Sequence, residues 1–192
     1  MIKLDFFGPY DFISTNHDVL NDCEYSSKPG IYLWAVKMPD LSFKIIYVGE
    51  TRRSFYTRTR EHLLNQLGGL YDIQDPEKMK LGIKNFVWTG LYGNSRKDKI
   101  YEYISRYDEL SIANIKYLSL LKIFVAPLDV EDNLRQAIEE KLAASILGDG
   151  EAGSIYPTGI HYKTHEIREE LKVEISTSSV IQGLPECIKY NC

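Results

Sequence analysis

The sequence predicts a mixed α/β (α+β) fold: a small antiparallel sheet with helices packed against it. Three observations carry this. Two short aromatic and β-branched runs, residues 31–36 and 43–48, are separated only by a break at Met38-Pro39-Asp40, which reads as an antiparallel hairpin. Two stretches with helical periodicity, residues 55–67 and 129–147, flank a third apolar run at 118–126. The resulting order (strand, strand, helix, mixed stretch, strand, helix) lacks the strand–helix alternation of a doubly wound parallel sheet.

Residues 2–13 are apolar-rich and read as an added edge strand, and 14–29 are polar, ending in the turn signal Ser26-Ser27-Lys28-Pro29-Gly30. Ser54 is the expected N-cap of the first helix, which Gly68-Gly69 ends. Tyr56, Thr59, Leu63 and Leu67 are expected to form its packing stripe, with Phe55, Arg58, His62 and Asn65 on the neighbouring one. Residues 70–98 are mixed, with a further strand expected at 86–91 and a short helix at 97–107. Pro127 stops the third strand. Asp129 is expected to cap the second long helix, whose Leu134, Ile138 and Leu142 face inward and which Gly148 and Gly150 close. One strand is expected near 171–175 in the loop-rich C-terminal third. The chain divides by this reading into an N-terminal extension (1–27), a central domain (28–148) and a C-terminal extension (149–192) that packs on it.

With 192 residues, 44% hydrophobic and 26% charged, the composition is that of a globular domain with room for a core. No apolar run approaches the ~18 residues of a membrane helix, so no membrane partner is expected. The first residues lack a secretory pattern. Three scattered cysteines, Cys23, Cys187 and Cys192, make neither a disulfide framework nor a CxxC metal site, and a reducing, cytoplasmic setting is expected. The net charge of -4 excludes a uniformly basic nucleic-acid coat but not a local basic site. The 14 tyrosines suit half-buried sheet surfaces, where a ring packs and a hydroxyl stays wet.

Chemistry concentrates in one constellation. The first hairpin strand begins Gly30-Ile31-Tyr32 and its partner ends Tyr47-Val48-Gly49, so the two phenols lie on paired strands and are expected to converge on one face. The next segment, RRSFYTRTREH (52–62), puts Arg58 and His62 four residues apart on one helical face. Its four arginines form a local positive spot suited to phosphates. Arg58 offers a planar fork for a phosphate oxygen, and His62 is suited to orienting a water or a tyrosine hydroxyl, or to moving a proton. Downstream, QAIEEKL (136–142) carries two helical glutamates.

The tripeptides GIY and YVG on adjacent strands, Arg58 and His62 on the following helix, and a glutamate on a later helix together resemble the GIY-YIG nuclease superfamily. That group includes homing endonucleases, some restriction enzymes and the incision subunit of nucleotide excision repair. The resemblance covers roughly residues 28–148 and is sharpest in YVGETRRSFYTRTREH. It implies a divalent-metal-dependent endonuclease acting on nucleic acid, DNA before RNA. Tyr32 would be general base or water positioner beside Tyr47, and Arg58 would stabilise the phosphoryl charge. His62 would assist, and a glutamate would bind Mg2+ or Mn2+. Family glutamates follow an apolar residue and precede apolar residues three and seven positions on. Glu139 meets this with Ile138, Leu142 and Ile146, and Glu140 is the alternative. Cutting both strands from one metal site would favour a homodimer.

The chain departs from the family pattern in places. Fourteen residues separate GIY from YVG, and Arg58 lies eleven positions after Tyr47. The asparagine many members carry after the metal-bearing helix is missing: none occurs between Leu147 and Tyr190, and Ile155-Tyr156-Pro157 stands near the place of the proline-containing strand. Two other readings follow from the residues. A non-catalytic nucleic-acid- or protein-binding module on the same fold suits the net charge, and an acidic surface also suits a basic protein partner. His161 and His165 have an HxxxH spacing compatible with zinc but no cysteine or carboxylate at matching spacing.

Overall fold

The structure, a computed structural model, describes residues 1–14, 18–92, 97–157, 160, 162, 165 and 167–191. Among these residues, eight strands and five helices follow one another as β1 (Ile2–Asp11), β2 (Gly30–Lys37), β3 (Phe43–Thr51), α1 (Phe55–Leu67), β4 (Asp72–Gln74), α2 (Pro76–Lys80), β5 (Phe86–Thr89), α3 (Lys97–Ser105), α4 (Tyr107–Leu120), β6 (Leu121–Pro127), α5 (Asp132–Gly148), β7 (Leu171–Thr177) and β8 (Cys187–Tyr190), with a short 3-10 helix at Ala152–Ile155.

The mixed α/β class holds, but the sheet is larger than a small antiparallel one. Six strands run in the order β3-β2-β6-β1-β7-β8. The β1–β7 pair is parallel and the other pairs are antiparallel. β1 is therefore an interior strand, not an edge: it pairs β6 on one side and β7 on the other. The sequence reading missed this because strand order is set by long-range pairing, which a local apolar pattern does not report. Strands from the first 27 residues and from beyond 148 thus belong to the same sheet as the hairpin. β4 and β5 form a separate two-stranded ribbon.

Other boundaries shift for local reasons. The region read as a strand from 118 begins three residues later, because α4 runs through Leu120. That helix was missed because its inward face includes Asn114 and Tyr117 beside Leu110 and Leu118, while Ile112 and Ile115 are exposed, which blurs the apolar period. α5 starts at Asp132 behind Glu131, not at Asp129. Ser54 does cap α1, its hydroxyl accepting from the Thr57 N–H at 3.1 Å.

The packing stripe of α1 is Phe55, Thr59, His62 and Gln66, while Tyr56 and Leu67 are exposed. The helix is rotated from the amphipathic expectation so that its polar stripe meets the sheet. Each sheet face has its own core. Ile31, Leu33 and Ala35 pack with Ile138, Leu142 and Ile146 of α5. Tyr32, Trp34 and Val36 pack with Phe55, Leu110 and Tyr117 on the other side.

Candidate active site

The hairpin glycines set the local geometry. Gly30 takes φ +152°, a region that favours glycine, and an added Cβ would lie 2.1 Å from the Ala126 carbonyl oxygen on the neighbouring strand. Tyr32 opposes Gly49 in the β2–β3 register, and a Cβ at Gly49 would lie 2.3 Å from the Tyr32 ring. The ring folds across the space that Gly49 leaves empty. Thus the tripeptide glycines have a steric cause: one lets the strand enter beside β6, and the other seats the phenol.

A bulge falls between the Trp34↔Tyr47 and Ala35↔Ile45 pairs, leaving Ile46 as the extra residue. Ile46 and Tyr47 accordingly both join the Tyr32 side of the sheet, while Ile45 and Val48 join the α5 side. Tyr32 and Tyr47 lie with ring centroids 6.0 Å apart.

α1 brings its two site residues to Tyr32. Arg58 Nε donates to the Tyr32 hydroxyl at 3.2 Å, and His62 Nε2 lies 2.8 Å from the same oxygen. Burial pushes the Tyr32 phenol well above its ordinary pKa, Tyr47 adds to this, and the Arg58 cation opposes without winning. Tyr32 is therefore a neutral phenol. His62 is driven down to about 3 by burial and by the Arg58 charge, so its imidazole is neutral at pH 7 and holds the phenol in place. Burial also raises Tyr47, followed by the charge of Glu139, with Arg58 again opposing.

Glu139 sits on the other side of β3. Its Oε1 accepts the Glu50 N–H at 3.0 Å. Its pKa rises to about 7, first through burial and then through the Glu50 charge, with Arg58 and Arg135 counteracting. Glu50 is held by Arg135 Nε at 2.6 Å, and Arg135 also pairs with Asp132. Glu140 points elsewhere: its Oε2 accepts the His165 N–H at 3.3 Å, and its charge raises the Tyr190 phenol after burial does. Of the two glutamates, Glu139 shares an electrostatic neighbourhood with Tyr47 and Arg58.

The positive spot is less bare than four arginines suggest. Arg53 and Arg58 both face Glu61, at 2.5 and 3.5 Å, and the exposed Arg52 lies 3.7 Å from Asp132. A polar recess of about 370 Å³ lies among Glu50, Arg52, Arg53, Arg58, Asp132 and Gln136. Arg58 also lines a larger cavity, so it stands between the two.

Sequence reasoning missed two tyrosines. The Val48 N–H donates to the Tyr156 hydroxyl at 3.0 Å, and the Tyr162 hydroxyl donates to the Val48 carbonyl at 3.0 Å. The two phenols also hydrogen-bond each other, which closes a ring around Val48. β3 is an edge strand, and this ring replaces the missing neighbour. Glu139 at Glu50, and the Val180 carbonyl with the Gln182 N–H at Phe43, satisfy further edge groups. The only sequence signal was Ile155-Tyr156-Pro157, noted near the place of the absent asparagine.

His161 lies outside the described residues. Among those described, no three His, Cys, Asp or Glu side chains group as metal ligands, and no helix is long and apolar enough to cross a membrane. Comparisons with protein-family models, curated proteins and solved structures return no match to this chain.

Proposed function

We propose that this chain is a divalent-metal-dependent endonuclease of the GIY-YIG type, hydrolysing phosphodiester bonds in DNA in preference to RNA. The observation that carries the reading is the double engagement of one phenol oxygen: residues 26 and 30 positions after Tyr32, Arg58 and His62, meet its hydroxyl. Tyr47 lies beside it and Glu139 close enough to perturb Tyr47.

The residues divide the work as follows. Arg58 stays cationic and neutralises charge on the phosphoryl oxygens. Tyr32 and Tyr47, neutral phenols on one sheet face, orient the attacking water. His62, neutral and bound to Tyr32, fixes the direction of that hydroxyl rather than carrying a proton. Glu139 is the fitting carboxylate for a hard cation, since its half-buried charge is under-compensated. One such carboxylate leaves the remaining positions for water and phosphate. Bound Mg2+ or Mn2+ would supply Lewis-acid stabilisation of the leaving oxygen.

A second reading, a GIY-YIG-fold binding module without turnover, is favoured by one observation: each candidate group already has an internal partner, and the phenol is closed off. Supercoiled plasmid, flapped duplex and structured RNA incubated with Mg2+ or Mn2+ separate the two. Wild type should cut at least one DNA substrate. Arg58→Ala should be about 10²–10³-fold slower, as for loss of one preorganised charge stabiliser, and Glu139→Gln should be inactive at low metal concentration. Equal cleavage by all three proteins would refute the assignment of the site, and binding with no cleavage would favour the module.

A further inference from the structure

The larger cavity shares Tyr47, Arg58 and His62 with the chemistry above, but the rest of its wall has no role there. It measures about 670 Å³ and adjoins Arg58 and His62, its wall including Trp34, Tyr47, Tyr71, Gln74, Tyr92 and Tyr117. That volume is within the ~300–1,000 Å³ of small-molecule sites. Its lining is strongly aromatic: Tyr71 packs against His62 with centroids 5.7 Å apart and against Tyr92 at 6.4 Å. Tyr92 is 79% exposed, a large ring left in solvent at the cavity's margin.

Three wall side chains also carry a buried polar atom without a hydrogen-bond partner among the described residues: Trp34 Nε1, His62 Nδ1 and Gln74 Oε1. All three side chains are more than nine-tenths buried. Buried polar atoms are ordinarily satisfied, and leaving one unpaired costs about 1–3 kcal/mol. These atoms belong to wall residues but lie behind the chamber's surface, out of reach of solvent. Flat aromatic walls match a planar heteroaromatic ring that stacks on them, and Arg58 at the boundary matches an attached phosphate.

We propose that this cavity receives an unpaired, unstacked nucleobase presented on a nucleic-acid strand, so that the preferred substrate carries a bulge, flap or single-stranded nucleotide beside the scissile phosphate. The proposal rests on the nuclease reading for what Arg58 holds. A base inside a continuous duplex is stacked and paired, and reaches such a chamber only after extrusion, which costs a few kcal/mol and least for a base already unpaired.

The test is equilibrium binding of the full chain in chelator, where no cleavage occurs. Fluorescence anisotropy is read with a fully paired duplex, the same duplex carrying one bulged 2-aminopurine, and free 2-aminopurine nucleotide. Wild type should bind the bulged duplex about tenfold more tightly than the paired one, with quenching of 2-aminopurine as it stacks. Tyr92→Ala, at an exposed position that does not threaten folding, and Trp34→Phe, which replaces a wall indole by a smaller ring, should lose most of that preference and keep the affinity for paired duplex. Equal affinity of wild type for both duplexes overturns the proposal. So does an unchanged preference in both variants, or free nucleotide bound as tightly as the bulged strand, which would make the cavity a small-molecule site. Because binding is read without turnover, the two readings fail separately. A protein that selects the bulge and cuts nothing loses only the nuclease assignment, and one that cuts paired and bulged strands alike without selection loses only this inference.

Discussion

The two faces of the hairpin strands are built from different materials. On one, Ile31, Leu33 and Ala35 meet Ile138, Leu142 and Ile146 of α5, and these side chains are wholly buried. On the other, Tyr32 and Trp34 meet Phe55, His62 and Tyr117 around a cavity, and polar atoms of Trp34, His62, Gln74 and Asn114 lack partners among the described residues. The first face is a close-packed aliphatic interface whose purpose is stability. The second gives up packing and hydrogen bonds beside an open space lined by polar and aromatic residues. Alternating residues of a single strand supply both, because successive strand side chains point to opposite faces.

Four substitutions sharpen or break this contrast. The largest stability effect should come from Leu142→Ala on the aliphatic face, about 2–5 kcal/mol by denaturant unfolding, since neighbours collapse poorly around a cavity in a tight core. A loss below 1 kcal/mol would show that this face is loosely packed. Next is Gly49→Ala. Its new methyl displaces the Tyr32 ring, at a cost of about 1–3 kcal/mol, and cleavage should fall more steeply than stability because the phenol leaves Arg58 and His62. Activity retained alongside lost stability would mean that Tyr32 has no chemical part.

Glu139→Gln follows. The folded carboxyl titrates near 7 against 4.5 unfolded, so its contribution to stability is full below the unfolded value and is lost as pH rises through about 7. The glutamine keeps the bond from the Glu50 N–H without the charge. It should therefore be more stable than metal-free wild type at pH 8 by of order 1 kcal/mol, discounted for partial exposure, and equal to it at pH 4. Mg2+ should raise the melting temperature of wild type alone. A variant less stable than wild type at pH 8 would mean that the carboxylate is compensated internally. The smallest effect should come from Trp34→Phe: the lost ring volume and the removed orphan N–H offset each other, leaving stability within about 1 kcal/mol in thermal unfolding. A loss of 3 kcal/mol would assign Trp34 to the packing core and close the contrast between the faces.

Edge protection explains why the candidate carboxylate sits where it does. β3 carries Tyr47, Gly49 and Glu50 and is the edge of the sheet among the described residues, so its free groups are met by the Tyr156–Tyr162 ring at Val48 and by Glu139 at Glu50. Glu139 is thus both a cap on an edge strand and a half-buried charge. Comparing Glu139→Gln with Glu139→Ala separates these roles, since alanine removes the cap as well as the charge.

The sequence by itself determined the hairpin that pairs the strands of Tyr32 and Tyr47, the cap and span of α1, and the shared helical face of Arg58 and His62. Each of these follows from short-range rules: strand alternation, the i to i+4 spacing of a helix, and turn residues between apolar runs. The meeting of Arg58 and His62 at Tyr32 was only what the family resemblance implied. Glu139 was legible only as a choice between two adjacent glutamates, and its bond to Glu50 across 89 residues separates it from Glu140. Only the tertiary structure decided the interior place of β1, the rotation of α1 that buries His62, the ion pairs that temper the arginines, the closing of Val48 by Tyr156 and Tyr162, and the aromatic cavity. All of these depend on which distant segments share a sheet or a face, and pairing partners far apart in the chain leave no periodic trace in either one.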